Sequence, residues 1–230
     1  MRIDFRVGSI MTKTLTANIR VILTAWLSVV HIRWPILAMS HFFAYLSRMK
    51  HIQRWGLMRN TTPENIQEHS HQVAVIAHGL AVIRNRCFGG SADAQRAALL
   101  ATFHDAGEVI TGDLPTPIKT FNPEIKTAYK KIEGIAAKRL LSMLPEELRA
   151  DYESILCPCD EDAELWRLVK AADKLCAYFK CIEERMMGNQ SFEKAEQAIR
   201  EQLDASPEPE VAYFLEHCVP SFSLTLDELN

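Results

Sequence analysis

The sequence predicts an all-α fold, a helical bundle. Three observations carry this reading. Apolar residues recur every three or four positions over long stretches. No stretch alternates apolar and polar residues as a half-buried strand does. Cap and breaker residues punctuate the stretches at helix-like intervals.

The elements follow in order. Ser40 is placed to cap HFFAYLSRMKH, whose Phe42, Leu46 and Met49 share one face. Gln53-Arg54-Trp55-Gly56 breaks that pattern, and Arg59 to Pro63 reads as loop. Asn65 or Thr62 opens the next helix, to about Arg86, with Ile66, His69, Val73, Ile76, Leu80 and Ile83 as its stripe. Gly89-Gly90 ends it, and Ser91 is the expected cap of a helix running into His104. Asn122-Pro123, a cap followed by Pro at the first helical position, opens a helix to about Met143. Another follows from Leu144-Pro145 to about Leu156. The longest spans Asp160 to Gly188, with Leu165, Leu168, Val169, Ala172, Cys176, Phe179, Ile182 and Met186 as its stripe. Two shorter helices lie near Phe192–Ala205 and Glu208–His217, and Pro220 begins a short tail.

The chemistry concentrates in Ala101 to Pro117, ATFHDAGEVITGDLPTP. Read as a helix, His104, Asp105 and Glu108 project to one side, beside the apolar run Ala97 to Ala101. Buried charge of this kind must be paired, hydrogen-bonded or bound to metal. The Thr111–Pro117 loop, with one Gly and two Pro, brings Asp113 and Thr116 close to the cluster. Two other stripes carry a misplaced polar group, His69 and Asp173. Singly, each reads more simply as a hydrogen-bonded core residue or a salt-bridge partner. Together, two His and two Asp from three helices make a four-ligand set between helices that leaves positions open for water and substrate. Nitrogen and oxygen donors together suit Mn, Fe, Co, Ni or Zn.

Composition narrows the alternatives. The 230 residues, 48% hydrophobic and 24% charged, suffice for one large domain with an appendage. The net charge of -3 argues against a nucleic-acid polymer as partner. Cys176 and Cys181 sit in an apolar helical pattern as small core residues, and Cys157-Pro-Cys159 lacks partners at zinc spacing, so a reducing, cytoplasmic setting is expected. Residues 1–38 are compositionally foreign. They carry Arg2, Arg6, Lys13, Arg20 and Arg33 against Asp4 alone, whereas the whole chain has 26 basic and 29 acidic residues. Their apolar run, Val21 to Val30, falls far short of the ~20 residues of a membrane span. The expected division is an extension at 1–38 outside the fold, a natural start at Met39, and a domain over 39–230. Membrane association is not expected.

The pattern His69, His104-Asp105, Asp173 resembles the H…HD…D signature of the HD-domain phosphohydrolases. SHFFAYLSRMKHIQRWGLMRN, PENIQEHSHQVAVIAH, HDAGEVITGDLPTP, KAADKLCAYFKCIEE and VPSFSLTLDEL resemble the bacterial 5'-deoxynucleotidases of that superfamily, the YfbR type, from Met39 to Leu229. The resemblance implies an HD-domain bundle that binds one divalent ion (cobalt, manganese or copper) at His69, His104, Asp105 and Asp173. It implies Glu108 as a catalytic acidic residue, Arg54 and Trp55 as the pair that orients phosphate and recognises deoxyribose, and Asp113, Leu114, Pro115 and Thr116 as a substrate-contacting loop. It further implies a homodimer that hydrolyses 2'-deoxynucleoside 5'-monophosphates to deoxynucleoside and phosphate. The metal residues His69, Asp105 and Asp173 would also border the substrate. Gly56 departs from the pattern, which has Pro after the Arg-Trp pair.

The chemistry of these residues agrees with that activity. Arg54 suits a bidentate grip on phosphate. Glu108 or Asp113 would orient water or shuttle protons, and sequence does not apportion those roles. Without the resemblance, Arg54 reads as a surface charge and Trp55 as a core or interface aromatic. The rival readings are another HD-domain phosphohydrolase, either a cyclic-nucleotide phosphodiesterase or a triphosphohydrolase, and a non-catalytic nucleotide-binding HD module. Few positive charges (Arg54, Arg59, Lys119) lie near enough in sequence to serve a triphosphate.

Overall fold

Side-chain caps and packed stripes set the helix limits. The computed structural model describes residues 39–119 and 121–229. The expectations for residues 1–38 lie outside the described residues. Helix α1 (Phe42–Leu46) runs into a 3-10 turn, Ser47–His51. Ser40 is not its cap. The Ser40 hydroxyl donates to the Met143 carbonyl at 2.8 Å instead, pinning this segment to a later helix end. Asn65 caps α2 (Ile66–Cys87) by accepting from the N–H groups of Gln67 and Glu68. Asp93, rather than Ser91, caps α3 (Ala94–Phe103) through the N–H of Arg96. Both residue types can cap, and only the chain path selects between them.

Two one-turn helices follow, α4 (Glu108–Thr111) and α5 (Thr116–Lys119). Between them Gly112 adopts φ 73, a left-handed conformation that costs glycine little. The expected loop therefore ends at Pro115, because Pro117 is tolerated in the first turn of α5. Asn122 caps α6 (Pro123–Ser142) by accepting from the Ile125 N–H. Then come α7 (Glu146–Leu156), α8 (Ala163–Met186), α9 (Glu193–Asp204) and α10 (Pro209–His217). Among the described residues there is no strand, and a lone bridge pairs Gln53 with Asn65.

The core lies where α2, α3 and α8 meet. Val73, Ala77 and Leu80 of α2 pack with Ala97, Leu100 and Ala101 of α3 and with Leu168, Ala172, Cys176 and Phe179 of α8. Ala77, Ala101 and Ala172 belong to this shared core, and small side chains permit close helix packing. Met186 departs from its expected place on the α8 stripe and is 47% exposed, because it is the last helical residue before the turn at Gly188. A second cluster joins Phe42, Ala106, Leu140, Leu144 and Leu156, so the polypeptide just after His104-Asp105 is anchored by its own apolar packing. All six cysteines are free, with Cys176 and Cys181 in the core.

Candidate active site

His69 is fully buried on the inner face of α2, while its neighbours Glu68 and His71 are exposed. His104 and Asp105 do not continue α3 as the sequence reading expected. The His104 ring Nδ1 lies 2.7 Å from the Ala101 carbonyl, the acceptor a continued helix would need, and α3 ends at Phe103. Tight turns then carry the chain to Glu108, with Ala106 N–H on Phe103 O and Glu108 N–H on Asp105 O. The chain still gathers His104, Asp105 and Glu108 in one place, through a turn rather than along a helix face.

His69 Nε2 lies 2.9 Å from Asp173 Oδ1 and 3.8 Å from Asp105 Oδ2, and His104 Nε2 lies 3.1 Å from that same Asp105 oxygen. Donor atoms of His69, His104 and Asp105 all fall within 4.8 Å of one another, and Asp173 joins them through His69. Asp173 is half-buried, with 44% of its side chain open to solvent.

The donor set fits a divalent cation. His104 donates its Nδ1–H to a carbonyl, so a metal would be held through Nε2 of the neutral ring, and that atom is buried without a hydrogen-bond partner. The electrostatics agree. Burial disfavours a charged His104, but Asp105 outweighs it and its pKa is pushed up to about 9. Burial also opposes the charge on Asp105, yet the two imidazoles and Arg54 hold it well below the usual carboxylate range. Such a cluster draws in positive charge, whether protons or a metal ion.

Arg54 is not a surface charge. Its side chain is 13% exposed, and its Nη1 lies 3.6 Å from Asp105 Oδ2, at the edge of the cluster. Trp55 is half-buried, with its ring centroid 5.3 Å from that of Phe192. It has φ 59, the one non-glycine residue in the left-handed region among those described. That conformation costs a bulky residue ~1–3 kcal/mol and clusters at working sites. The unusual backbone thus belongs to Trp55 itself and not to Gly56.

Glu108 is buried, and burial together with nearby Asp105 pushes its pKa up to about 7 although Lys119 opposes the shift. Its Oε1 accepts from Lys119 Nζ at 3.1 Å, while Oε2 is buried without a partner. Lys119 also reaches Asp113 Oδ1 at 3.7 Å, which ties the loop to Glu108. Leu114 and Pro115 are half-buried on the same loop, and Thr116 is exposed at the start of α5. Sequence reasoning counted Lys119 only among the few nearby positive charges and gave no role to Glu64, whose carboxylate accepts from both Arg54 and Trp55. Neither carries a periodic signal. Each is brought in by a chain reversal, over residues 55–63 and 112–115.

The fold is that of the HD-domain phosphohydrolases. An HD-domain phosphohydrolase from Listeria innocua superposes with a TM-score of 0.69 over 79% of this chain and 88% of that one, at 21% identity. The HD phosphohydrolase of cyanophage S-2L, solved with dA and one catalytic Zn2+ ion, gives 0.55 over 77% and 96%, at 24% identity. Within that class, residues 41–222 match the model of the 5'-deoxynucleotidase YfbR-like family, and the chain belongs to this family. It is 53% identical to a 5'-deoxynucleotidase of Shewanella oneidensis over 84% of this chain and 98% of the relative. It is 55% identical to one of Vibrio cholerae, over 83% and 98%.

Proposed function

We propose that the domain over residues 39–230 is a metal-dependent 5'-nucleotidase that hydrolyses 2'-deoxyribonucleoside 5'-monophosphates to deoxyribonucleoside and phosphate, and discriminates against ribonucleotides. The observation that carries this is the 3.6 Å approach of the buried Arg54 fork to Asp105 within the His/Asp cluster. It sets a phosphate-binding cation beside a set of metal donors.

His69, His104, Asp105 and Asp173 would hold the metal; manganese, cobalt or copper is expected. A bound divalent ion supplies Lewis acidity toward the phosphoryl oxygens and lowers the pKa of coordinated water. Arg54 orients the phosphate and offsets the charge that builds on its oxygens. Glu108, with a pKa near 7 and an unpartnered Oε2, is suited to take a proton from the attacking water and return it to the leaving 5'-oxygen. Asp113, held with Glu108 through Lys119, orients the water or the sugar, and Leu114, Pro115 and Thr116 form the adjoining wall. The Trp55 ring closes the sugar side and leaves a ribose 2'-hydroxyl unpaired. That penalty, ~1–3 kcal/mol, corresponds to roughly 5- to 150-fold. The enzyme is proposed to act in the cytoplasm as a homodimer. No described helix is long and apolar enough to cross a membrane.

The test of reaction type is chromatographic separation of the products formed from a deoxynucleoside monophosphate, a 3',5'-cyclic nucleotide and a triphosphate, with Mn2+ present. Conversion of the monophosphate alone, to deoxynucleoside and phosphate, is expected. Turnover of the cyclic nucleotide or triphosphate instead would replace this reading with one of its rivals.

A further inference from the structure

We infer that Glu64 is a positioning residue that joins three working parts of the site: the His69 imidazole, the Arg54 guanidinium and the Trp55 indole. The inference rests on the roles proposed above for those three residues.

The carboxylate divides its two oxygens between them. Oε2 accepts from Arg54 Nε at 3.1 Å and from Trp55 Nε1 at 3.0 Å. Oε1 lies 3.7 Å from His69 Nδ1, a buried nitrogen with no other partner. The backbone fixes Glu64 where this is achieved. The Arg54 N–H donates to the Glu64 carbonyl at 2.9 Å, Gln53 bridges to Asn65, and the Ile66 N–H donates to Ile52 O at 3.0 Å. Residues 52–54 and 64–66 thus form a short clip at the start of α2, one turn before His69. A carboxylate that is only 13% exposed needs a counter-charge, and Arg54 supplies it.

Each contact has a consequence. Holding Arg54 by Nε leaves Nη1 directed at Asp105 and free for phosphate. Holding the indole N–H helps keep Trp55 in its left-handed conformation, alongside the Met58 N–H on the Trp55 carbonyl at 2.8 Å. An anion facing His69 Nδ1 favours the tautomer that carries hydrogen there, which leaves Nε2 as the lone-pair donor facing Asp105 and Asp173. One carboxylate therefore sets a metal ligand's tautomer, a phosphate fork and a sugar wall.

The experiment compares the full chain with Glu64→Gln and Glu64→Ala, reading Mn2+ affinity by titration calorimetry and kcat/KM for dAMP and AMP. The Gln amide oxygen still accepts from Arg54 and Trp55, but its NH2 then faces His69 Nδ1 and favours the opposite tautomer. Glu64→Gln is expected to weaken Mn2+ binding about 10- to 100-fold while keeping the dAMP/AMP ratio. Glu64→Ala is expected to lose both. A merely structural ion pair would lower thermal stability without this split. Wild-type Mn2+ affinity in Glu64→Gln, or a wild-type dAMP/AMP ratio in a folded Glu64→Ala, overturns the inference. The isosteric Gln variant keeps the test decisive if the Ala variant does not fold. If the wild type itself treats dAMP and AMP alike, the sugar reading has failed. The Mn2+ affinity of Glu64→Gln then decides alone: weakened supports Glu64, unchanged overturns it.

Discussion

His104 Nδ1 sits 2.7 Å from the carbonyl oxygen of Ala101, and this one contact both ends α3 and leaves Nε2 directed into the acidic cluster. The atom of His104 proposed to hold the metal is therefore Nε2. Replacing His104 with Ala should weaken Mn2+ binding by more than the about 10- to 100-fold that loss of a supporting contact costs. Titration calorimetry measures this, and wild-type affinity would remove His104 from the ligand set.

Asp173 lies in the middle of α8 with 44% of its side chain open to solvent and is not part of the apolar core. Asp173→Ala is therefore expected to lose metal binding and turnover while far-UV circular dichroism keeps its helical signal. Full activity in this variant would exclude Asp173 as a ligand.

Trp55 forms the sugar wall only if its ring stays against Phe192, 5.3 Å between centroids. Trp55→Ala should narrow the ratio of kcat/KM for dAMP over AMP by roughly 5- to 150-fold, the worth of one unpaired buried hydroxyl. A variant that keeps the wild-type ratio would place sugar discrimination elsewhere.

Away from the site, fully buried Glu184 pairs with Lys180 and accepts from the Thr61 N–H at 2.9 Å and Asn189 Nδ2 at 2.7 Å. Burial alone would raise its pKa, but Lys180, Thr61 and Asn189 together hold it well below the usual 4.5. A carboxyl with a depressed folded pKa contributes stability that is present above the unfolded value and is lost as pH falls from there through the folded value. Thermal melts of the wild type should therefore fall steeply below about pH 4.5. Glu184→Gln should show a shallower acid limb. At neutral pH it should be destabilised by about 3–5 kcal/mol, because Lys180 keeps a buried charge without its partner. Identical acid limbs in the two proteins would contradict this assignment.

The legible part of the molecule is the part written in periodicity. The stripe of α2 isolates His69 and that of α8 isolates Asp173, because a polar residue among Val73, Leu80, Leu168 and Phe179 stands out. Asn122 is read correctly as a cap, and of the two openings the sequence offers for α2, Asn65 and Thr62, the structure uses Asn65; both side chains bond N–H groups two or three residues on, a local event. Ser40 and Ser91 are not caps, because Ser40 finds Met143, 103 residues away, and Asp93 begins the helix two residues later. The same reason hides Glu64 and the pairing of Lys119 with Glu108. Their charged partners Arg54 and Glu108 lie across irregular turns, and no repeat in the sequence encodes a chain reversal.

The central claim is that a metal held by the His/Asp cluster acts on deoxynucleoside monophosphates and that Arg54-Trp55 selects the sugar. The most direct measurement is phosphate release from dAMP and AMP in parallel, first after chelation and then with Mn2+ restored. The account predicts no release after chelation and release from dAMP far in excess of AMP once Mn2+ is returned. Equal release from the two nucleotides, or undiminished release after chelation, would contradict it.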